Sequence, residues 1–272
     1  MNKEKIFYDI LKNIKEVKIQ GARNIARKAL YAYSLIPTEQ SRKLLLSSRP
    51  TEPMLARALK EMEKKTYKEI IRHFDFAQDI INKNTAKLIK NGDRVFTHCH
   101  STNVNNALIY AKRKGKKFEV YNTETRPLMQ GRKTSKELAK AGIKVTQFID
   151  SAAAIAIEKE NKKDTVYATK VFIGADALLD KGIINKIGSG MIAELAFIHK
   201  IPVYIIADSW KYSSKKVPIE KRKINEVWDK APKKIKIFNP AFEFVQKKYI
   251  EGIVSEYGIL PYDKFINKVK KN

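Results

Sequence analysis

The feature that most constrains the fold is a change of hydrophobic pattern near residue 90. Before that point, apolar residues recur every three or four positions, which is typical of amphipathic helices. After it, short apolar segments alternate with helical segments. Alternation of this kind places buried strands in parallel, with helices covering both faces of the sheet. The chain is therefore predicted to be an α/β protein that begins with a helical region.

The pattern also predicts the boundaries of the elements. We predict strands over residues 94–97, 118–123, 145–149, 171–173 and 203–206, with helices over 103–114, 135–141, 152–158 and 189–199. A length of 272 residues allows one large domain or two modest ones. We predict a helical N-terminal domain over residues 1–90 and a second domain, which holds the mostly parallel sheet, over residues 91–272.

The composition excludes several classes of protein. No apolar run approaches the roughly 20 residues that span a bilayer, so no membrane contact is expected. The N-terminal segment is an amphipathic helix with charges of both signs, unlike a signal or transit peptide. The single cysteine, Cys99, excludes an internal disulfide and fits a reducing compartment. We expect a cytoplasmic protein.

The net charge is strongly positive, with 55 Lys and Arg against 29 Asp and Glu, or +26 in total. Such a charge attracts phosphorylated ligands or nucleic acid. It also arises from a lysine-rich composition typical of the source organism or of a hot habitat. The lysines are spread along the chain without a basic stripe interleaved with aromatic residues. Nucleic acid is therefore not the expected partner, whereas a phosphorylated ligand stays open.

Polar side chains follow several of the predicted strands. Because the carboxyl ends of parallel strands meet at one edge of a sheet, these side chains are expected to converge on a ligand site. They are His98, Cys99 and His100 after the first strand, Asp176 after the fourth, and Asp208 and Lys211 after the fifth. The sequence thus predicts a site with one thiol, at least one acid and several cations.

Cys99 is the first candidate for chemistry at that edge. A place at the start of a helix between two imidazoles would lower its pKa and favour the thiolate. The alternative is an inert buried thiol. His98 and His100 are weak candidates for metal binding, because a site needs three or four ligands and no matching spacing is present. No glycine-rich nucleotide-binding loop is present either.

Asp176 and Lys186 are the other candidates, and each has an ordinary structural alternative. Asp176 is either an acid or the cap of a turn. As an acid it needs a proton near neutral pH, so either burial raises its pKa by more than Lys186 lowers it, or the proton arrives with the phosphate of a substrate. Residues 185–188, Asn-Lys-Ile-Gly, are either a plain turn before a helix or a phosphate-binding segment.

Several short segments in combination resemble the archaeal ribose-1,5-bisphosphate isomerase family. They are GARNIARKA (21–29), RPT (49–51), THCHS (97–101), TETRP (123–127) with Gln130-Gly131, GAD (174–176), NKIG (185–188), NPAF (239–242) and YGILPY (257–262). That family is related to methylthioribose-1-phosphate isomerase and to the alpha, beta and delta subunits of translation initiation factor 2B. The resemblance implies a helical domain followed by a Rossmann-like domain.

The resemblance also implies an activity and a set of site residues. The activity is aldose–ketose isomerisation of ribose 1,5-bisphosphate to ribulose 1,5-bisphosphate in nucleoside monophosphate degradation, with no metal or redox cofactor. Cys99 would be the catalytic base or thiol and Asp176 the acid. The substrate phosphates would be bound by Gln20, Gly21, Ala22, Arg23, Arg49, Ser101, Thr102, Asn103, Asn185, Lys186 and Lys211.

Two departures from the family pattern leave alternatives open. The family has Arg-Gly-Ala-Gly where this chain has Gln20 to Arg23, so we expect Arg23 to replace the missing arginine. The segment 158–169 is also longer than usual. The alternatives are a methylthioribose-1-phosphate isomerase and a non-catalytic, initiation-factor-2B-like regulator or nucleotide sensor. The resemblance implies a homo-oligomer built from dimers, with a hexamer and a nucleotide activator left open.

Overall fold

The computed structural model describes residues 2–158, 167–220 and 222–271. The chain begins with five helices, which are α1 (Lys3–Lys15), α2 (Ala22–Leu35), α3 (Glu39–Ser48), α4 (Pro53–Glu61) and α5 (Tyr67–Leu88). Local capping fixes where some of them begin. Asn2 caps α1, and Thr66 forms a capping box with Glu69 at the start of α5. These helices end where the hydrophobic pattern changes, although the division into two domains stays a prediction.

Strands and helices alternate after α5. The elements are β1 (Asp93–Thr97), α6 (Thr102–Arg113), β2 (Phe118–Thr123), α7 (Gln130–Lys140), β3 (Lys144–Phe148), β4 (Lys170–Ile173), β5 (Ala177–Leu179), β6 (Gly182–Lys186), α8 (Ser189–Ile198), β7 (Val203–Ile206), β8 (Phe242–Gln246), β9 (Gly252–Ser255), β10 (Gly258–Leu260) and α9 (Tyr262–Lys270). The five strands predicted from the sequence lie within one residue of β1, β2, β3, β4 and β7.

Seven of the strands form one sheet in the order β10-β9-β7-β4-β1-β2-β3. All neighbours in it are parallel except β9 and β10. From β1 the chain moves outward through β2 and β3, and then returns to β4 on the other side of β1. The switch point of the sheet, where ligands usually bind, therefore lies between β1 and β4. The α/β fold class with a mostly parallel sheet is confirmed.

Alternate side chains of the strands enter two separate cores. Val95 and Phe172 face a core that includes Ile81 of α5 and Leu108 of α6. Their neighbours in sequence enter the other core, together with residues of α8 and α9. A third core joins α1, α2, α4 and the first half of α5, and it includes Trp210. Helix α5 thus contributes to two cores and fixes the helical region against the sheet.

Three features of the fold differ from the prediction, and the first is that α7 begins at Gln130, five residues before the predicted start at residue 135. A second, antiparallel sheet has the order β5-β6-β8, so Asn185 and Lys186 end a strand and do not lie in a turn. The helix predicted over residues 152–158 is a 3-10 helix, Asp150–Ala156. Most of the long segment noted at 158–169 lies outside the described residues. Among the described residues, none of the helices is long and apolar enough to cross a membrane.

Candidate active site

A cavity of about 270 Å³ lies between the helical region and the carboxyl ends of β1 and β4. All thirteen residues that the family resemblance assigns to the site line this cavity, whereas Asp208, which was expected to converge on the same site, does not. The thirteen are Gln20, Gly21, Ala22, Arg23, Arg49, Cys99, Ser101, Thr102, Asn103, Asp176, Asn185, Lys186 and Lys211. The structure brings them together, and their individual roles stay predictions.

Gly174 allows the turns after β1 and β4 to approach closely. A Cβ atom added at Gly174 would lie 2.6 Å from Ser101 Oγ and 2.8 Å from Ser101 Cβ. Any larger residue would therefore push the two turns apart. Since Cys99 precedes Ser101 and Asp176 follows Gly174, this approach brings the thiol and the acid to the same cavity.

The backbone at Cys99 is strained and firmly held. Its φ angle is 68°, in the left-handed region that side chains other than glycine rarely adopt. The Cys99 N–H donates to Thr125 Oγ1 over 3.0 Å, and the Cys99 carbonyl accepts a hydrogen bond of 2.8 Å from Thr134 Oγ1. Thr125 is itself left-handed, with φ 62°. Strained residues of this kind cluster at functional sites.

The prediction that Cys99 has a lowered pKa is wrong for the ligand-free protein. Burial raises the pKa of its thiol to about 12, and the opposing effect of the Lys186 ammonium is smaller. Cys99 also lies two residues before Ser101, whose side chain caps α6, so the helix start does not act directly on the sulfur. Cys99 thus lies at the predicted edge of the sheet, but its pKa is shifted in the direction opposite to the predicted one.

The two histidines beside Cys99 are engaged elsewhere. His98 Nε2 lies 2.8 Å from the carbonyl oxygen of Ile187, which only accepts, so this nitrogen carries the hydrogen. His98 Nδ1 lies 2.5 Å from Thr123 Oγ1. Burial lowers the pKa of His98, which favours the neutral ring. His100 Nε2 lies 2.9 Å from Glu137 Oε2. Both rings therefore position the loops around the cavity.

The pKa of Asp176 is shifted in the direction that the role of an acid requires. Burial raises its pKa, and this effect outweighs the lowering by Lys211, Arg49 and Lys186. Its backbone N–H donates to the carbonyl of Ile184 over 2.9 Å, which fixes the turn after β4. The carboxyl is thus biased toward its protonated form on the wall of a polar cavity.

The cations of the cavity differ in how fully they are bound. Lys211 Nζ donates to the carbonyl of Ala175 over 2.6 Å, and Arg49 Nη2 lies 2.9 Å from Glu220 Oε2. Lys186 is 5% exposed, and burial lowers its pKa. Its ammonium makes no hydrogen bond to any described residue. Lys186 is therefore available to a bound anion.

The start of α2 is a second place for an anion. Gly21 precedes the helix with φ 84°, no side chain caps the first turn, and that turn contains no acid. Unpaired N–H groups at a helix start attract anions. The expectation that Arg23 replaces a missing phosphate ligand stays a prediction. Arg23 lines the cavity, but its guanidinium is already paired with Asp75.

Sequence reasoning missed four charged residues that line the cavity: Glu52, Lys133, Glu220 and Arg222. Glu220 and Arg222 lie in the irregular chain between β7 and β8, where no periodicity predicts a position. Glu52 directly follows the RPT segment, so its place next to Arg49 was the one available signal. Glu220 accepts from both Arg49 and Arg222, over 2.9 and 3.1 Å.

Comparison with known proteins gives consistent matches over nearly the whole chain. Residues 18–262 match the Initiation factor 2 subunit family, IF-2B. The ribose 1,5-bisphosphate isomerase of Thermococcus kodakarensis is 33% identical, covering 93% of this chain and 90% of that protein. The methylthioribose-1-phosphate isomerase of Thermosipho melanesiensis is 32% identical, covering 97% and 90%. The structure of the Pyrococcus horikoshii OT3 translation initiation factor eIF-2B has the same fold, with a TM-score of 0.81 at 24% identity and coverage of 94% and 96%.

Proposed function

The chain belongs to the initiation factor 2 subunit family and is a sugar-phosphate isomerase, and we propose that it converts ribose 1,5-bisphosphate into ribulose 1,5-bisphosphate. The resemblance predicted from the sequence is confirmed at the level of the family. One observation carries the choice of chemistry. A thiol and a carboxyl that favours its proton, Cys99 and Asp176, line one cavity at the switch point of the sheet.

The charge of the cavity supports a bisphosphate substrate. Six cationic side chains line it against three acids, so the cavity favours anions. The cations are Arg23, Arg49, Lys133, Lys186, Lys211 and Arg222. Lys186 and the start of α2 are two anion-binding places not yet used by protein groups. Two phosphates would supply remote binding energy that holds the substrate during ring opening.

The proposed reaction needs one acid and one base. Asp176 protonates the ring oxygen, while the thiolate of Cys99 removes the proton from carbon 2 and leaves an enol. The thiol then returns a proton to carbon 1, and the 2-hydroxyl returns one to Asp176 as the ketone forms. Both residues thus regain their starting protonation states.

The thiolate is scarce in the ligand-free protein because burial raises the pKa of Cys99 to about 12. The Lys186 ammonium is the nearby charge that lowers this pKa most, so it is the residue expected to support the thiolate. The form of the enzyme with a thiolate and a protonated Asp176 then becomes more abundant as the pH rises, until the carboxyl loses its proton. The logarithm of kcat/KM should accordingly rise with pH and then level off.

A substrate comparison tests the proposal. Purified protein is given ribose 1,5-bisphosphate, methylthioribose 1-phosphate or ribose 5-phosphate, and formation of the ketose is followed. We expect the highest kcat/KM with ribose 1,5-bisphosphate. A preference for methylthioribose 1-phosphate would assign the enzyme to the other isomerase type among its relatives. Turnover of none of them would contradict the proposed function and favour a regulator.

We also propose that the enzyme is a homo-oligomer. Helix α8 is apolar on most of its sides, yet its Met191, Phe197 and Ile198 are 47%, 56% and 62% exposed. A helix that is apolar all round is normally buried, so a second copy of the chain is the expected cover. Light scattering should give a mass of at least twice 31.3 kDa. A monomer at micromolar concentration would contradict this proposal.

A further inference from the structure

Glu52 is a buried acid in the wall of the cavity, and one of its oxygens is unpaired. The residue is 4% exposed, and its Oε2 atom has no hydrogen-bond partner among the described residues. Glu52 lies at the N-cap position of α4, where an acidic side chain often accepts from the first N–H groups, but its side chain makes no such bond. The stability of the helix therefore does not explain this carboxyl group.

The backbone holds Glu52 firmly in its place. Its N–H donates to the carbonyl of Arg49 over 3.1 Å, and its own carbonyl accepts from the Leu55 N–H over 3.1 Å. Pro53 follows at the start of α4, and the next residues, Met54 and Leu55, are each 1% exposed in the core of the helical region. A rigid segment thus presents the carboxyl group, so a ligand would not need to order it on binding.

Among the described residues, two other acids line the cavity, and both already have a role. Glu220 Oε2 lies 2.9 Å from Arg49 Nη2, and Glu220 Oε1 accepts from Arg222 over 3.1 Å. Asp176 is the acid of the proposed reaction. Glu52 is therefore the carboxyl group of the cavity that stays open to a ligand.

The chemistry of a carboxyl group decides which part of a ligand fits it. In either protonation state it offers at least one oxygen that accepts a hydrogen bond. Ionised phosphate oxygens only accept, so they match the cations of the cavity and leave such an acceptor unpaired. A sugar hydroxyl donates a hydrogen bond and would pair with it. A buried acceptor without a donor costs free energy, so a ligand that supplies the donor is favoured.

We propose that Glu52 is a specificity-determining residue that accepts a hydrogen bond from a hydroxyl group of the sugar. In this arrangement the six cations hold the phosphates, whereas Glu52 distinguishes between the carbon chains that carry them. The inference rests on the proposed function for the identity of the sugar, but the binding that it describes needs no turnover. The site should accordingly favour hydroxylated bisphosphates over bisphosphates of the same length without hydroxyls.

Calorimetric binding of two bisphosphates tests the inference. Ribulose 1,5-bisphosphate carries hydroxyls between its phosphates, whereas 1,5-pentanediol bisphosphate has the same chain length and none. We expect the wild type to bind the sugar bisphosphate more tightly. Glu52→Met keeps the length of the side chain but lacks its oxygens, so it should reduce this preference roughly 10-fold or more. The readout is the ratio of the two dissociation constants, because loss of an acid changes the attraction for both bisphosphates alike.

Two further variants control for shape and charge. Glu52→Gln keeps an acceptor oxygen in the same place and should retain most of the preference. Glu220→Gln is the matched control, because Glu220 is also an acid at the cavity but has both oxygens bound to arginines. Its loss frees Arg49, so Glu220→Gln should tighten the binding of both bisphosphates and leave their ratio unchanged.

The outcomes separate this inference from the proposed function. Binding of 1,5-pentanediol bisphosphate by Glu52→Met shows that the cavity of the variant is folded. A wild type without a preference, an unchanged ratio in Glu52→Met or an equal change of ratio in Glu220→Gln would overturn the role of Glu52. A Glu52→Gln variant as poor as Glu52→Met would do the same. A ratio that falls in a protein without isomerase activity would support the role of Glu52 while contradicting the proposed function.

Discussion

Two pairs of acids lie near the carboxyl edge of the sheet, and in each pair one acid is buried (Glu52 and Asp208) and one is half-buried (Asp176 and Glu256). Glu52 and Asp176 line the cavity, whereas Asp208 and Glu256 follow β7 and β9. Burial raises the pKa of all four carboxyls. In the direction of these pKa shifts, the two pairs do not differ.

Their hydrogen bonds separate them. Asp208 Oδ1 accepts from the Trp210 N–H over 2.8 Å, and Glu256 accepts from the Ser209 N–H over 3.1 Å. These bonds hold the turn after β7 in place. Glu52, in contrast, leaves an oxygen unpaired at the cavity. A raised pKa therefore does not identify an active site by itself. An unpaired polar atom that faces a cavity is the more specific sign.

The comparison predicts that side chains at the cavity control turnover and that side chains elsewhere control stability. Cys99→Ser should give the largest effect, with turnover falling by a factor on the order of 10² or more, the size of a lost general base. The unfolding temperature should stay close to that of the wild type. A variant that is less stable but keeps its specific activity would show that Cys99 is a packing residue.

A smaller effect is expected from Lys186, with Lys170 as its matched control. Both lysines are buried, but Lys170 Nζ is bound to Asp93 and to the carbonyl of Leu88 at the opposite end of the sheet. Lys186→Met should lower kcat/KM roughly 10- to 100-fold, the value of one charged hydrogen bond. Lys170→Met should instead destabilise the fold by about 3 kcal/mol, because Asp93 loses its buried partner. Similar losses of kcat/KM in both variants would remove the distinction.

The last prediction concerns the pH dependence of the free energy of unfolding, in which the two pairs should behave alike. The pKa of Glu52 is raised from 4.5 to about 8 in the folded protein. Its contribution to stability is therefore fully present below about pH 4.5 and is lost as the pH rises through about 8.

Urea unfolding measures this loss. Between about pH 4.5 and 8.5 the wild type should lose up to about 5 kcal/mol relative to Glu52→Gln. Glu256→Gln should show a difference of the same sign, since its pKa is raised too. A wild type that gains stability relative to Glu52→Gln as the pH rises would contradict the raised pKa of Glu52.

Much of the fold and of the site could be predicted from local patterns. The apolar segments of β1, β2, β4 and β7 are short and bounded by polar turns, so their positions followed from the sequence. The site followed from topology, because the ends of parallel strands must meet. The small sheet β5-β6-β8 was not predicted, since β8 joins β6 only after a long irregular segment.

The electrostatics of the site depended on contacts between distant parts of the chain. The neutral ring of His98 is fixed by Thr123 and by the carbonyl of Ile187, which lies 89 residues away. The pKa of Cys99 is set by how deeply the folded loops bury it. Glu52 and Glu220 reach the cavity from irregular segments, and no local pattern encodes that approach.

The most direct test of the account compares Asp176→Asn with Asp208→Asn in the ribose 1,5-bisphosphate assay. Both changes replace an aspartate by its amide, but only Asp176 lines the cavity. We predict that Asp176→Asn lowers kcat by a factor on the order of 10² or more with little change in KM, because the amide binds but delivers no proton. Asp208→Asn should keep the wild-type kcat. Wild-type kcat in Asp176→Asn, or an equal loss in Asp208→Asn, would contradict the account.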